Sequence, residues 1–439
     1  MKIFNSLWYK ICNSRFFKDS FWAVFGNGLG NVLLLLAGIL IARLLGKDVY
    51  GEYGFVKTTM FHLAAFSTLG LGYTSTKFIA EYRAKNPRVL KSIIIASRII
   101  TLVTSTILAL FLFIFSKSLA GYLNEPSLEM PFRVLGVIVI FRALSTTYGG
   151  LLAGFGDFQT LAKNNVISGI IMLLLCIPLT YYWSLKGSLA ALVVSQIVLF
   201  VSNARSTNII KTKLEDQEEG SFIVPIFKFS IPIAMQEFTF AICNWLAILM
   251  ITKLSTIGEV GIYTASSQWS SIILFIPTIL YNVMLSHLSY AIGDQDLQKK
   301  NVNMMLMVNL VCTLIPFIII YFLAPWITTF YGQSFTAMVP VLRLLVLSTI
   351  FTCCSNVLST ELIAQGCNWS LFSIRCTRDI LTLAIGYLCI ISFDRDTAAY
   401  SFSLAYLLCA AIFFILLFIY YRVIILVKNG HQPSVSKTS

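Results

Sequence analysis

The sequence predicts an all-α integral membrane protein, with twelve transmembrane helices in two pseudo-twofold-related six-helix lobes. Three observations carry that expectation. The composition is that of a chain solvated by lipid: 57% of its 439 residues are hydrophobic and 12% charged, and the mean hydropathy is +0.82. Twelve apolar segments reach the roughly 20 residues that cross a bilayer as a helix, the conformation that satisfies each segment's backbone amides internally. Finally, the chain repeats itself. Ala42–Tyr53, ARLLGKDVYGEY, is answered by Thr252–Tyr263, TKLSTIGEVGIY, with Arg43 on Lys253, Leu44 on Leu254, Gly51 on Gly261 and Tyr53 on Tyr263. Each copy is a cation closing one apolar segment, a short polar turn, and Gly-x-Tyr opening the next. A second echo, Leu152–Phe158 (LAGFGDF) on Ile363–Trp369 (IAQGCNW), sets Ala153 on Ala364 and Asp157 on Asn368, one residue out of step with the first. Two matches at nearly one spacing imply an internal duplication.

Taken in order, residues 1–19 carry four cations among aromatics and read as a cytoplasmic interfacial segment leading into a retained helix. The N-terminal lobe, 20–210, holds spans at about 20–43, 49–71, 91–115, 132–153, 160–182 and 187–209. A cytoplasmic linker, 211–227, contains the acidic run LEDQEEGS, which reads as a solvated tether. The C-terminal lobe, 228–421, holds spans at about 228–251, 261–285, 300–323, 341–364, 370–392 and 397–421, and residues 422–439 form a cytoplasmic tail. Most of the 32 lysines and arginines fall on connections that are inside if both termini are cytoplasmic, which orients the chain. Membrane flanks thereby account for the net charge of +13, and no nucleic-acid partner is expected. The ten cysteines stand mostly singly in apolar runs, as core residues and not as a disulfide or metal framework. No cofactor is expected.

The outside connections are short and no Walker loop is present, which argues against most enzymes, receptors and ATP-driven pumps. Gly26–Gly30, GNGLG, follows no strand and lies inside span one, where small residues let helices approach. Asn27 and Asn31, one turn apart, read as interhelical hydrogen-bonders. The informative residues are charges at depth. Lys57, Arg98 and Arg142 lie within spans two, three and four, each at a cost of roughly 2.5–3.5 kcal/mol on insertion scales unless it meets a cavity or a partner. No acidic residue lies at mid-depth in spans one to six to neutralise them. In span seven Glu237 and Asn244 share nearly one helical face. That carboxyl is either a protonated structural group or a proton or cation coupling site. In span eleven Arg375 and Asp379 stand four apart as a local ion pair, leaving Arg378 over. Pro232, Pro277 and Pro316 are expected to kink or break spans seven, eight and nine.

ARLLGKDVYGEYGF followed by TLGLGYTSTKFIAEYRA resembles the opening two spans of the O-antigen-type polysaccharide flippases of the multidrug/oligosaccharidyl-lipid/polysaccharide exporter superfamily. LLAGFGDF and its echo LIAQGCNW fit the same pattern, and the resemblance covers nearly the whole chain. It implies a MATE-like fold in the bacterial cytoplasmic (inner) membrane, with membrane lipids and other polysaccharide assembly proteins as surroundings. It also implies a cargo, a lipid-linked oligosaccharide on polyprenyl pyrophosphate, turned from the cytoplasmic to the periplasmic leaflet. Lys57, Arg98, Arg142 and Arg378 would then form a cationic cavity, the first three on the phosphates, and Glu237 would couple transport to a proton or sodium gradient. A cation antiporter of the same fold stays open, although that chemistry wants carboxylates. A membrane polymerase or ligase stays open less readily, for want of a large outside loop.

Overall fold

The computed structural model describes residues 15–122, 126–214, 222–278, 295–365, 367–393 and 397–430, with 15–27, 73, 84–85, 228–237, 295–297, 364, 368 and 424–430 described as backbone only. The protein is a multi-pass, all-α membrane protein. Its helices are α1 (Arg15–Ser67), α2 (Leu71–Lys85), α3 (Leu90–Tyr122), α4 (Glu129–Gly154), α5 (Phe158–Thr212), α6 (Ile223–Leu254), α7 (Ile257–Ile273), α8 (Gln295–Tyr331), α9 (Met338–Ala364), α10 (Asn368–Ser392) and α11 (Ala398–Gly430). Seven of the helical stretches among the described residues are long and apolar enough to cross a membrane. Two of these are interrupted, α1 at Gly46 (φ 72°, ψ 171°) and α5 at Ser184 (φ 50°, ψ −129°). The interruptions fall where connections between spans one and two and between five and six are expected.

Several expectations shift in detail. Lys47–Gly51 is already helical, because the break is confined to Gly46, whose missing Cβ admits the positive φ. Span two does not end at 71. It pauses at Leu69 and Gly70, both with positive φ, where Ser67 and Thr68 turn their hydroxyls back to the Ala64 and Ala65 carbonyls, and resumes as α2. Of the three prolines expected to kink or break their spans, Pro316 lies within an unbroken α8 and residue 232 within an unbroken α6, whereas near Pro277 the helix is interrupted, α7 ending at Ile273 with a turn at Leu274. Residues 1–14, most of the N-terminal segment, and 215–221 of the linker lie outside the described residues.

The chain divides into two compact units: one runs to Gln268 and includes Thr328–Met338, and the other takes Trp269–Ile327 and Val339 onwards. The first has a core of Leu71, Ile79, Ile93, Leu144 and Leu151, among others. The second packs Val302, Val357, Leu358, Leu371, Phe413 and Leu417. In the first unit α3 turns Ile107, Leu110, Phe113 and Ile114 outward and buries Ser97, Thr101 and Ser105, the inverse of a helix in water. The buried hydroxyls join helices: Ser75 donates to Ser97 at 3.0 Å, and the Thr101 and Thr147 hydroxyls lie 2.7 Å apart. Asn164 Nδ2 donates to Asn203 Oδ1 at 2.8 Å. Of the GNGLG stretch, Gly30 backs onto Asn165, and Gly169 meets Leu33 and the Gly30 carbonyl.

The duplicated turns meet in the first unit. A Cβ on Gly51 would run into the Ile257 carbonyl, and one on Gly261 into the Lys47 carbonyl. Because Gly261 and Ile257 are the repeat equivalents of Gly51 and Lys47, the contact is reciprocal, as at an isologous interface. Gly258 against Asp48, and Gly54 against Thr264, pair residues with their own equivalents. A local pseudo-twofold axis therefore passes between Gly51 and Gly261. The second echo obeys the same spacing once its register is corrected by one residue. Asp157 N donates to Leu152 O at 3.0 Å, and Cys367 N to Leu362 O at 2.9 Å. This sets Asp157 on Cys367 and Gly156 on Gly366, so the alanine match was a slip.

An alanine at Gly51 should cost about 1–3 kcal/mol through overpacking against backbone that cannot rotate away. Thermal unfolding of the purified protein in detergent checks it, with Gly121→Ala as control because nothing lies within 4 Å of a Cβ there. A Gly51→Ala protein that melts with the control would refute so close a crossing.

Candidate functional site

The candidate site begins on α1 beyond Gly46. Lys57 is half-buried there, and among the described residues it forms no ion pair or hydrogen bond. Phe61 stands one turn further on and shares its face. Over that ring, 4.5 Å from the centroid, lies the guanidinium of Arg142, half-buried in the middle of α4. The structure thus sets Arg142 over a ring that lies one helical turn from Lys57, a ring not singled out from the sequence. The signal was the spacing of Lys57 and Phe61, which sets an aromatic directly along the helix from a buried cation. His62, also half-buried, adjoins it.

The balance of energies decides what this arrangement can do. A cation at mid-depth costs roughly 2.5–3.5 kcal/mol by insertion scales. A cation–π contact returns about 0.5–2 kcal/mol. Arg142 is therefore held in place without being neutralised, and Lys57 has no described counter-charge. An anion supplied from outside the protein would be stabilised by both.

Arg98 is placed differently. It is exposed on α3, close enough to Tyr148 of α4 to act on it electrostatically, between one and two turns along α4 from Arg142. No described contact joins it to the other two cations. Glu237 lies on α6, and its side chain is outside the described residues. Asn244 spends its amide on the Phe240 carbonyl of its own helix, at 2.8 Å.

Arg378 belongs to the second unit, and the expectation that it is left over is corrected. Its Nε and Nη2 donate to Asp379 Oδ1 at 2.7 and 2.6 Å, and its guanidinium lies 4.7 Å from the Phe413 centroid. Arg378 is thus the partner that Asp379 takes directly, and it is not left over. The long Arg378 side chain folds back on its neighbour while stacked on Phe413.

A few charged groups serve the fold. Arg83 donates to the Phe155 carbonyl at the end of α4, and Asp157 caps α5 by accepting from Thr160 N at 3.2 Å. Among the described residues no cluster of His, Cys, Asp and Glu could hold a metal ion.

Comparison with known proteins bears on the architecture and then on the family. A multidrug resistance MATE family transporter of the MOP superfamily, solved in an inward-facing conformation, superimposes with a TM-score of 0.81 at 14% identity, covering 92% of this chain and 96% of that one. A MOP superfamily transporter from Pyrococcus furiosus, described as having a binding pocket of reverse polarity, superimposes with a TM-score of 0.68 at 14% identity over 93% and 95%. The fold is accordingly MATE-like. In sequence, Stage V sporulation protein B of Bacillus subtilis is 22% identical over 291 residues, 60% of this chain. The match spans 56% of that relative's length. The family model described as polysaccharide biosynthesis protein matches residues 16–290, more than half of the chain. The chain therefore belongs to the polysaccharide biosynthesis protein family.

Proposed function

We propose that the protein flips an undecaprenyl-pyrophosphate-linked oligosaccharide from the cytoplasmic to the periplasmic leaflet of the bacterial inner membrane, by alternating access, for surface polysaccharide biosynthesis. The observation that carries this reading is the Lys57–Phe61–Arg142 constellation, cationic and lacking a described carboxylate. A pyrophosphate cannot cross hydrocarbon unaided, and a guanidinium fork holds phosphate oxygens through charge-assisted hydrogen bonds. Arg98, exposed near the same helix pair, would meet the head group as well. No bond is made or broken in this cycle. Both termini are cytoplasmic in this reading, lobes 20–210 and 228–421 rock about the central site, and no cofactor takes part. Other polysaccharide assembly proteins would supply and receive the cargo. Arg378 carries a charge already matched by Asp379, so it is left for a part of the cargo other than the phosphates. Glu237 is the candidate for coupling to a proton or sodium gradient.

Arg142→Ala should abolish polysaccharide export in cells while membrane levels of the protein stay normal. Arg142→Lys should retain part of it, because an ammonium lacks the bidentate fork. Full export by Arg142→Ala would remove the central residue of this reading. For Glu237→Gln, flipping in proteoliposomes should lose its response to an imposed proton or sodium gradient. A response equal to wild type would leave that carboxyl a structural role.

Alternating access also makes a demand on the Gly51–Gly261 crossing, which must part if the turns bound the outer mouth. On a background with the ten native cysteines replaced, Asp48→Cys with Gly258→Cys places thiols where the Asp48 carboxylate now meets the Gly258 position. A disulfide needs alpha carbons within about 7 Å. Oxidation should stop export and reduction restore it, with each single variant indifferent to oxidant. Efficient crosslinking with export unimpeded would show that these turns do not separate during the cycle.

A further inference from the structure

Within the second unit α9, α10 and α11 enclose a narrow pocket lined by Ser355 and Asn356, by Arg378, and by Tyr406 and Phe413. It has room for about one water-sized group. Three features define what would sit there. The pocket bears little net charge, because Asp379 Oδ1 accepts from Arg378 Nε and Nη2. Nη1 of Arg378 keeps its donors. The second feature is an orphan. Ser355 is 1% exposed, and its hydroxyl has no hydrogen-bond partner among the described residues. On α9 Ser348 donates to Leu345 O at 2.7 Å, Thr352 to Ser348 O at 3.0 Å, and Thr360 to Asn356 O at 2.7 Å. Ser359, one turn from Ser355, is likewise buried without a partner among the described residues, but of the two only Ser355 lines the pocket. Third, the wall is aromatic, with the Phe413 ring under the guanidinium and Tyr406 beside it.

A charge-balanced pocket that offers hydroxyl, amide and guanidinium donors beside aromatic rings matches the chemistry of a sugar. A sugar hydroxyl donates and accepts at once. A phosphate oxygen only accepts and brings a charge that Asp379 opposes. We propose that the pocket is a glycan subsite, taking one hydroxyl of the cargo's oligosaccharide onto Ser355, Asn356, Arg378 and Tyr406. This rests on the flippase reading above and deepens it, separating recognition of the sugar from recognition of the head group.

The test uses the full chain in lipid nanodiscs and two probes, with binding read by native mass spectrometry. One probe is undecaprenyl pyrophosphate. The other is lipid-linked oligosaccharide extracted from membranes of cells depleted of the transporter. Ser355→Ala combined with Tyr406→Phe should weaken binding of the oligosaccharide-bearing lipid by roughly tenfold and leave undecaprenyl pyrophosphate at its wild-type affinity. The unchanged probe also reports that the variant is folded. Arg142→Ala should weaken both. If the double variant binds both probes as wild type does, or loses both equally, the pocket holds a structural water only and the proposal is overturned. Equal wild-type affinity for the two probes overturns the subsite alone. A wild type that binds neither probe sinks the flippase reading, and the subsite with it.

Discussion

The structure depends first on the approach of two backbones at Gly51 and Gly261. Side chains would hold helices 8–10 Å apart, and here even a methyl group would collide with a carbonyl. The crossing is reciprocal, so each copy of the duplicated turn supplies both a glycine and the carbonyl that the other glycine admits. Much of the neighbourhood is built on it. Lys47 N donates to Ser334 Oγ at 3.2 Å, and the Tyr50 ring packs 5.8 Å from Phe335 and 5.6 Å from Tyr53. Gln268 Nε2 donates to the Tyr50 hydroxyl at 2.7 Å. Residues 328–338 thereby join the first unit although the helices they connect lie largely in the second.

Around that crossing the usual logic of a core is inverted. Lipid is as apolar as leucine, so burial of Ile107 or Ile114 would gain little, and both are left outward. What distinguishes one helix face from another is hydroxyl and amide chemistry. The pairs Ser75–Ser97, Thr101–Thr147 and Asn164–Asn203 are each worth on the order of 0.6–2 kcal/mol in a membrane. Individually they are modest. Together they select one register of helices that hydrophobic contact alone would leave nearly degenerate.

How much of this was legible in the sequence varies with the range of the interaction. The membrane class, the helical content and the repeated turn were all on the page, because hydropathy and a self-match are local quantities. The second echo was found but slipped by one residue. Side-chain identity favoured Ala153 on Ala364, whereas backbone hydrogen bonding favours Gly156 on Gly366. Of the prolines expected to interrupt helices, Pro277 has a break beside it at Leu274, while Pro316 does not interrupt its helix and further breaks lie at Gly46 and Ser184. A membrane helix can absorb a proline when its freed carbonyl finds another donor, but a connection between spans must leave helical geometry. The cations at depth were visible as costs. That Phe61 lies under Arg142, and that Asp379 takes Arg378, depend on side-chain reach, which spacing along a helix does not encode.

The cations of the described residues can be sorted by what neutralises them, and the sorting sets Arg142 apart. Arg133 pairs with Glu129 at 2.7 Å on an exposed surface, where such pairs contribute little. Arg83 and Arg343 donate to the Phe155 and Tyr321 carbonyls, and Arg378 has Asp379. Arg142 has a ring and nothing anionic. A ring supplies about 0.5–2 kcal/mol and satisfies none of the five guanidinium donors. The fork stays vacant while its orientation is fixed. Such a residue costs stability in the empty protein, and on the function proposed above it would recover that cost when the anionic head group arrives.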